Sequence, residues 1–421
     1  MLTRTDNEFL TQTGPGTPMG ELFRRFWLPA MMPDELPEAD CPPVRLRLLS
    51  ENLVAWRDSN GKVGVMQESC PHRGASMFFG RNEEAGLRCV YHGWKFDLEG
   101  ACVDMPNEPA ESNFKHKIKA TAYPAAEWGG LIWVYMGPQH LEPQLPQMEW
   151  CTVPDDHRYV QKWRQECNYA QALEGEIDSS HISFLHRILP EKDAVAQPAV
   201  TRGLQVADGA PQLTIKETDY GFMYGARRNV VDGQYYWRVT QFMLPDFSYI
   251  PNASFPRGGR CWIPMDDEHI WCFAFAYNPD APLTEDQRSF YGNGVATVPK
   301  MIPGTFTPEA NNTNDYQVDR DAQRTKTYTG IYGVRNQDMA VTESMGGICD
   351  RTKEHLGTSD QAIIVARRML IRMAQELQQG KEPYAATHGD VYRIRPLDVL
   401  DPAGEFNEML LRHQEEALSR V

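Results

Sequence analysis

Two short loops, each with one cysteine and one histidine, constrain this chain more than any other feature of its sequence. Cys70 and His72 stand two positions apart, and Cys89 and His92 stand three positions apart, with sixteen residues between the two pairs. Thiolates are soft ligands and imidazole is a neutral one, so two such loops can bind one metal centre from both sides. The fold must therefore bring these two loops together.

The mixed composition of each loop separates two kinds of metal site. A set of two cysteines and two histidines can bind a Rieske [2Fe–2S] cluster, with the cysteines on one iron and the histidines on the other. Structural zinc sites use the same residue types, but zinc fingers pair cysteine with cysteine and histidine with histidine along the chain. Each loop here supplies one ligand of each kind, which favours a Rieske cluster over zinc.

A second ligand pattern, formed by Asp178, His181 and His186, follows further along the chain. Two histidines and one carboxylate are the facial triad of non-haem Fe(II), which leaves coordination positions open for O2. His181 and His186 are five residues apart, or about 140° around an ideal helix. If both bind one ion, a helix that carries them must break or bulge between them.

The apolar periodicity predicts two domains, 1–150 and 151–421. Between about residues 40 and 140, short stretches of alternating apolar residues predict a small all-β unit with many turns. A polar, proline-containing stretch from Gly137 to Pro154 marks the boundary. Beyond it we expect strands joined by short turns, and hence an antiparallel sheet. The predicted strands are Gln212–Glu217, Phe222–Asn229, Tyr235–Phe242, Gly259–Ile263 and Ile270–Tyr277.

Three stretches are predicted to be helical. The first has apolar residues at helical spacing from Met19 to Trp27, and the second covers roughly residues 166–188. The third begins at a capping box formed by Thr358 and Gln361 and ends at Gly380.

The charge balance excludes several classes of partner. The chain has 42 Lys and Arg residues against 57 Asp and Glu residues, for a formal net charge of −15. Proteins that bind nucleic acid or anionic membranes carry a basic surface, so neither partner is expected. The sequence contains no uninterrupted stretch of about 18 apolar residues, so no transmembrane helix is predicted. Nine cysteines without a disulfide framework favour a reducing, cytoplasmic location.

The two ligand patterns together resemble the Rieske non-haem iron aromatic ring-hydroxylating oxygenases. The first loop continues as Cys-Pro-His-Arg-Gly-Ala and the second as Cys-Val-Tyr-His-Gly-Trp-Lys-Phe-Asp, as in that family. Residues 14–20 and 350–357 resemble its phthalate-dioxygenase type, whose oxygenases have one kind of subunit, the alpha subunit. The resemblance implies an α+β fold: an N-terminal all-β Rieske domain, then a catalytic domain whose curved antiparallel sheet is surrounded by helices (the helix-grip type).

The resemblance also implies which residues bind the metals. Cys70, His72, Cys89 and His92 would bind the [2Fe–2S] cluster, and His181 and His186 would bind a mononuclear Fe(II). The family carries the third iron ligand in a Glu/Gln-Asp-x4-Glu context far downstream. Here the match is Gln337-Asp338 followed by Glu343, so Asp338 is expected, with Asp350, Asp321 and Glu343 as the alternatives.

Asp178 is implied to act between subunits. In the family this carboxylate bridges a cluster histidine of one subunit to an iron histidine of its neighbour, which gives a short electron path. The expected assembly is a head-to-tail homotrimer, or a stacked homohexamer. No Gly-x-Gly-x-x-Gly follows a predicted strand, so the electrons of NAD(P)H should arrive through a separate flavin and iron–sulfur reductase.

The implied activity is that of the terminal oxygenase of a two-component system, which uses O2 to hydroxylate an aromatic carboxylate such as phthalate or a phenoxybenzoate. Arg227, Arg228 and Arg238 are candidates for binding the carboxylate, although an arginine in a sheet is more often solvated or ion-paired than a substrate ligand. Strand alternation places Arg227 and Arg228 on opposite faces.

Two other activities stay open at this point. One is O-demethylation of a methoxylated aromatic acid on the same scaffold. The other is a Rieske electron carrier without oxygenase activity, for which a small domain of about 100 residues would suffice. The second ligand pattern and the length of the chain argue against the carrier.

Overall fold

A computed structural model describes residues 1–189, 203–205, 208–230, 233–252 and 254–419. Within these residues the strands form one sheet of eight strands, two of four and one of three. All strand pairs are antiparallel. No helix in the described part of the chain is both long enough and apolar enough to cross a bilayer.

The N-terminal part contains the three small sheets, which have the strand orders β2-β3-β4-β9, β5-β6-β7-β8 and β1-β11-β10. One cysteine–histidine loop joins β4 to β5, and the other joins β6 to β7. The all-β unit that the sequence predicts is therefore confirmed, and both loops belong to it. The strands are β1 (Trp27–Met31), β2 (Val44–Leu48), β3 (Glu51–Arg57), β4 (Val63–Gln67), β5 (Arg81–Glu83), β6 (Gly86–Arg88), β7 (Lys95–Phe96), β8 (Cys102–Asp104), β9 (Ala122–Tyr123), β10 (Ala125–Trp128) and β11 (Leu131–Tyr135).

The C-terminal part is built on the eight-stranded sheet, which has the order β12-β18-β17-β16-β15-β14-β13, with β19 also paired to β15. The five predicted strands are present, each with ends within two residues of the prediction. The sequence did not predict β12, β16 or β19. The strands are β12 (Arg158–Gln165), β13 (Gln212–Thr218), β14 (Gly221–Asn229), β15 (Tyr235–Met243), β16 (Phe247–Ile250), β17 (Arg257–Pro264), β18 (Ile270–Tyr277) and β19 (Leu397–Asp401).

All three helical predictions need correction. The first helix ends at Phe23, and Trp27 begins β1; all five residues of β1 are buried, so apolar spacing alone could not distinguish strand from helix. The second helix ends at Glu176, before the ligand pattern. The third is present and is followed by Gly380 at φ +84°, but its N-cap is Asp360, without the predicted capping box. The helices are Arg4–Thr11, Pro18–Phe23, Glu149–Thr152, Tyr169–Glu176, Glu285–Gly292, Arg320–Thr325, Val334–Glu343, Gln361–Gln378, Tyr384–Thr387, Phe406–Arg412 and Gln414–Ala417.

One large hydrophobic cluster joins the two parts of the chain. Trp133 of β11 stacks on Phe247 with ring centroids 5.9 Å apart, and Trp150 stacks on Phe275 at 4.4 Å. A smaller cluster lies wholly between residues 54 and 122 and includes Cys70 and Cys89. The domain boundary near residue 150 stays a prediction, because the large cluster runs through it.

Candidate metal centres

The two cysteine–histidine loops have the same backbone design. In the first, the amide of Cys70 donates to the carbonyl of Ala75 at 2.9 Å and that of Gly74 donates to Cys70 at 2.8 Å. In the second, the amide of Cys89 donates to Trp94 at 2.8 Å and that of Gly93 to Cys89 at 3.0 Å. Both glycines have positive φ, +76° and +78°, which other residues rarely adopt. Each loop therefore turns tightly around its cysteine.

The four side chains of these loops face one another. Cys70 and Cys89 are buried, and burial raises the pKa of the Cys70 thiol to about 11, with Cys89 adding to the shift. The rings of His72 and His92 are 4.4 Å apart, and the His72 ring stacks on Trp94 at 4.3 Å. Stacking on a buried tryptophan restricts the orientation of the His72 ring.

The donor set fits a two-iron cluster. His72 Nδ1 is buried and has no hydrogen-bond partner among the described residues, so its lone pair is available to a metal. Two thiols and two imidazoles are the ligands that a Rieske cluster requires. Among the residues that the structure describes, these four donors do not form a group within 4.8 Å of one another, as one tetrahedral ion would need.

The second ligand pattern begins where a helix ends. Asn168 caps the Tyr169–Glu176 helix by accepting from the amide of Ala170 at 3.0 Å. The helix stops at Glu176, and a short 3-10 turn, His181–Ser183, follows. Because the helix ends before His181, the two histidines can approach each other: Nε2 of His181 and Nε2 of His186 lie 3.2 Å apart.

Asp338 completes a group of three donors. Its Oδ1 lies 3.1 Å from His186 Nε2 and 3.7 Å from His181 Nε2. Metal–ligand bonds of about 2.1 Å at right angles place neighbouring donors about 3 Å apart, so one ion fits between them. Among the described residues this is the group of His, Cys, Asp and Glu side chains whose donors all lie within 4.8 Å. Two histidines and one carboxylate suit Fe(II).

The three alternative carboxylates are engaged elsewhere. Asp321 pairs with Arg324, and Asp350 lies 2.9 Å from Lys353 Nζ. Glu343 accepts from the Tyr316 hydroxyl at 2.5 Å.

Asp178 lies on the outer side of His181. Its Oδ2 is 3.6 Å from His181 Nδ1, and its Oδ1 accepts from the amide of Ser180 at 2.6 Å. Burial works to raise the pKa of Asp178, but His181 and the backbone amides outweigh it and hold the pKa below its ordinary value. The carboxylate therefore faces the ring nitrogen that points away from Asp338.

A buried charge network that the sequence did not indicate surrounds Asp338. Nη1 of Arg335 lies 3.4 Å from Asp338 Oδ2, and its Nη2 lies 3.2 Å from Glu176 Oε2. Arg260 of β17 also pairs with Glu176. Burial works to raise the pKa of Asp338, but Arg335 and His186 outweigh it and lower that pKa. The spacing of Arg335 and Asp338 on one helix could have indicated that they pair. Nothing in the sequence indicated that Arg260 contacts Glu176.

A cavity of about 200 Å³ adjoins the three donors, and the candidate arginines differ in their relation to it. Arg238 lines it, 7% exposed, and donates to the carbonyl of Pro251 at 3.2 Å. Arg228 is 1% exposed and donates to the carbonyls of Asp208 and Ser179 at 2.9 Å. Arg227 does not line it; its guanidinium lies 4.6 Å from the ring of Tyr235 and donates to Gly404.

Comparison with known proteins places both parts of the chain. Residues 26–123 match the Rieske [2Fe-2S] domain, and residues 134–395 match the "LigXa C-terminal domain like" family. The chain is 39% identical to the 3-chlorobenzoate-3,4-dioxygenase oxygenase subunit of Comamonas testosteroni, over 93% of each chain. It is 40% identical to the phthalate 4,5-dioxygenase oxygenase subunit of Pseudomonas putida, over 90% of this chain and 88% of that one.

The fold has solved counterparts as well. NdmA of Pseudomonas putida CBB5, a QL mutant with caffeine, superposes with a TM-score of 0.61 at 17% identity, over 88% of this chain and 96% of that one. At that identity the likeness concerns the fold alone. It confirms the predicted order of an N-terminal Rieske β domain followed by an antiparallel sheet with helices.

Proposed function

We propose a substrate class for this chain, which belongs to the Rieske aromatic ring-hydroxylating oxygenases as the oxygenase subunit of a multicomponent system. The substrate is an aromatic carboxylate, and the reaction is hydroxylation of its ring. One observation carries the proposal: Arg238 is buried in the cavity beside His181, His186 and Asp338, and no carboxylate of the described residues lies within 4.0 Å of it.

The charges around Arg238 favour an anion. Arg228 lies nearby, and its Nη1 is buried without a hydrogen-bond partner in the described part of the chain. Burial and the neighbouring Arg238 lower the pKa of Arg228. Asp398 accepts from Tyr236 at 2.9 Å, and burial raises its pKa although Arg238 opposes the shift. Because buried charge is costly without a partner, the guanidinium of Arg238 favours a bound carboxylate, and Arg228, which does not line the cavity, adds positive charge nearby.

The size of the cavity suits a single aromatic ring. An apolar cavity of about 150 Å³ holds benzene, and this cavity is about 200 Å³. Tyr224, Ile250 and Val334 give it apolar surface. Of the three arginines that line it, Arg260 and Arg335 pair with Glu176 and Asp338, whereas Arg238 forms no such pair within 4.0 Å in the described part of the chain. A ring whose carboxylate binds Arg238 would then present another edge to His181, His186 and Asp338.

Each residue has a role in this proposal. Cys70, Cys89, His72 and His92 bind the cluster, and His181, His186 and Asp338 bind the mononuclear iron. When bound, the cluster supplies single electrons and the iron activates O2. Arg238 orients the acid, and Asp178 holds His181 and connects it to the electron path. In ring dihydroxylation both atoms of O2 enter the ring, and NAD(P)H supplies two electrons.

We further propose that the cluster loops of one subunit dock on the iron face of another. The cluster loops are surrounded by the exposed apolar side chains of Phe79, Val90 and Tyr91, which are 63%, 57% and 56% exposed. Near the iron site, Phe184 and Met345 are 55% and 50% exposed. Exposed apolar patches on two different parts of one chain suit a head-to-tail ring. A separate reductase supplies the electrons.

Substitution of Arg238 tests the substrate class. R238Q should lower kcat/KM for the aromatic acid roughly 100-fold while both metals stay bound, because a charged hydrogen bond to substrate is lost. R238K keeps the charge and should lie between R238Q and wild type. R227Q, which changes an arginine outside the cavity, is the control. Turnover of the acid by R238Q at the wild-type rate would contradict the proposal.

A further inference from the structure

We propose that Gln337 is a positioning residue that fixes the tautomer and orientation of His186 for iron. Gln337 is 6% exposed and lies beside Asp338 in the Val334–Glu343 helix. Its Oε1 is 2.7 Å from His186 Nδ1. This inference concerns metal binding and does not depend on which aromatic acid is the substrate.

The orientation of the Gln337 amide follows from its second contact. Its Nε2 donates to the backbone carbonyl of Ile331 at 2.9 Å. A carbonyl can only accept, so the amide nitrogen must face Ile331 and the amide oxygen must face His186. That oxygen can only accept as well, so Nδ1 of His186 carries the proton.

The consequence appears at the other nitrogen of the ring. With the proton on Nδ1, Nε2 of neutral His186 carries the lone pair that binds a metal. That atom lies 3.1 Å from Asp338 Oδ1 and 3.2 Å from His181 Nε2, inside the group of three donors. Gln337 therefore orients the ring of His186 so that Nε2 is the nitrogen turned towards the other two donors.

The helix that carries Gln337 has a fixed start. Gly333 precedes it at φ +85°, and a Cβ at that position would come 2.3 Å from the carbonyl oxygen of Gly294. Only glycine fits there, so the start of the helix is set by its packing. The same helical turn then supplies a metal ligand, Asp338, and the acceptor for a second ligand, Gln337.

The two iron histidines have different partners on their outer nitrogens. His181 faces a carboxylate, Asp178, at 3.6 Å, whereas His186 faces a neutral amide. An acceptor on the outer nitrogen orients a metal-binding histidine, and its loss typically costs 10- to 100-fold in metal affinity. An amide does this without adding negative charge to a site that already contains Asp338.

A purely structural role is the competing explanation, because Gln337 also ties its helix to the loop at Ile331. Two variants separate the explanations. Q337M is close to isosteric and loses both hydrogen bonds. Q337E loses the donor to Ile331 but keeps an acceptor for His186 Nδ1. A structural role predicts that the two variants behave alike, and a positioning role predicts that they differ.

The experiment measures binding of Fe(II) and Co(II) to the mononuclear site after its metal is removed, together with the thermal midpoint and the cluster spectrum. We expect Q337M to bind 10- to 100-fold more weakly, Q337E to stay within a few-fold of wild type, and both to keep the cluster spectrum. S344A is the control, because Ser344 is exposed and caps the C-terminal end of the same helix. Equal losses in Q337M and Q337E, or wild-type affinity in Q337M, would overturn the inference.

Discussion

Asp338 Oδ1 lies 3.1 Å from His186 Nε2, although the two residues belong to segments that are far apart in the sequence. His186 follows a short turn after the Tyr169–Glu176 helix, and Asp338 lies in the Val334–Glu343 helix. The fold thus brings together the two segments of the proposed iron site, and the sheet whose strands lie between them in the sequence contributes Arg238 to the cavity wall.

Removal of one iron ligand should leave the other metal centre intact. D338A and H181A should lose the mononuclear iron and all oxygenation, because the two donors that remain are too few to hold the ion. The cluster spectrum should be unchanged, since its ligands lie in another domain. Iron analysis and EPR check this. D321A and D350A, which change the alternative carboxylates, should keep full iron; iron retained in D338A would contradict the assignment.

Loss of the Asp178 charge should separate metal binding from electron transfer. D178N should keep both metals, because Asp178 is not among the three donors. Reoxidation of the reduced cluster in a single turnover should slow at least tenfold, as the carboxylate beside His181 Nδ1 is gone. D350N is the matched control on an exposed carboxylate. Wild-type reoxidation in D178N would remove the electron-path role.

The buried Arg335 should matter far more for stability than an exposed arginine with similar spacing. R335M leaves Asp338 and Glu176 with less compensation for their buried charge and should lower the free energy of unfolding by about 3–5 kcal/mol. R324M breaks the pair of Arg324 with Asp321, and both of these side chains are exposed. It should therefore lower the free energy of unfolding much less. Urea unfolding compares the two. Equal effects would contradict the buried network.

Glu343 should make stability depend on pH. Burial raises its pKa from the ordinary value to about 7, although the Tyr316 hydroxyl opposes the shift. Because the folded form then holds a proton that the unfolded form releases, Glu343 should cost stability as the pH rises from about 4.5 to about 7. E343Q removes this term and should gain roughly 2 kcal/mol relative to wild type at pH 8, with a smaller gain at pH 5. Urea midpoints at both values measure it, and an equal gain at the two would refute the argument.

The proposed cluster ligands and the two proposed iron histidines could be identified from the sequence because each of their motifs is local. Loops that hold a cluster need cysteine, histidine and glycine at fixed spacing, and that spacing is visible in the sequence. The break after Glu176 was also foreseeable, since His181 and His186 cannot reach one ion from an unbroken helix. The resemblance supplied Asp338, which spacing alone could not identify.

The contacts that support these ligands were not predictable. Gln337 contacts His186, and Arg260 pairs with Glu176, because elements far apart in the sequence pack together. The choice between Arg227, Arg228 and Arg238 likewise needed the cavity. Strand alternation separates Arg227 from Arg228, but it does not show that Arg238 lies beside the iron ligands. Such contacts depend on tertiary packing, which has no local pattern.

The most direct measurement is product analysis of the iron-loaded protein with a suitable reductase, NADH and O2. The panel contains phthalate, chlorobenzoates, phenoxybenzoates and methoxybenzoates, with the matching carboxamides as neutral controls. We expect a ring-hydroxylated acid, a cis-diol or catechol without formaldehyde, and little product from the carboxamides. Formaldehyde in equal amount to a phenolic product would establish O-demethylation instead, and equal turnover of acids and carboxamides would contradict recognition by Arg238.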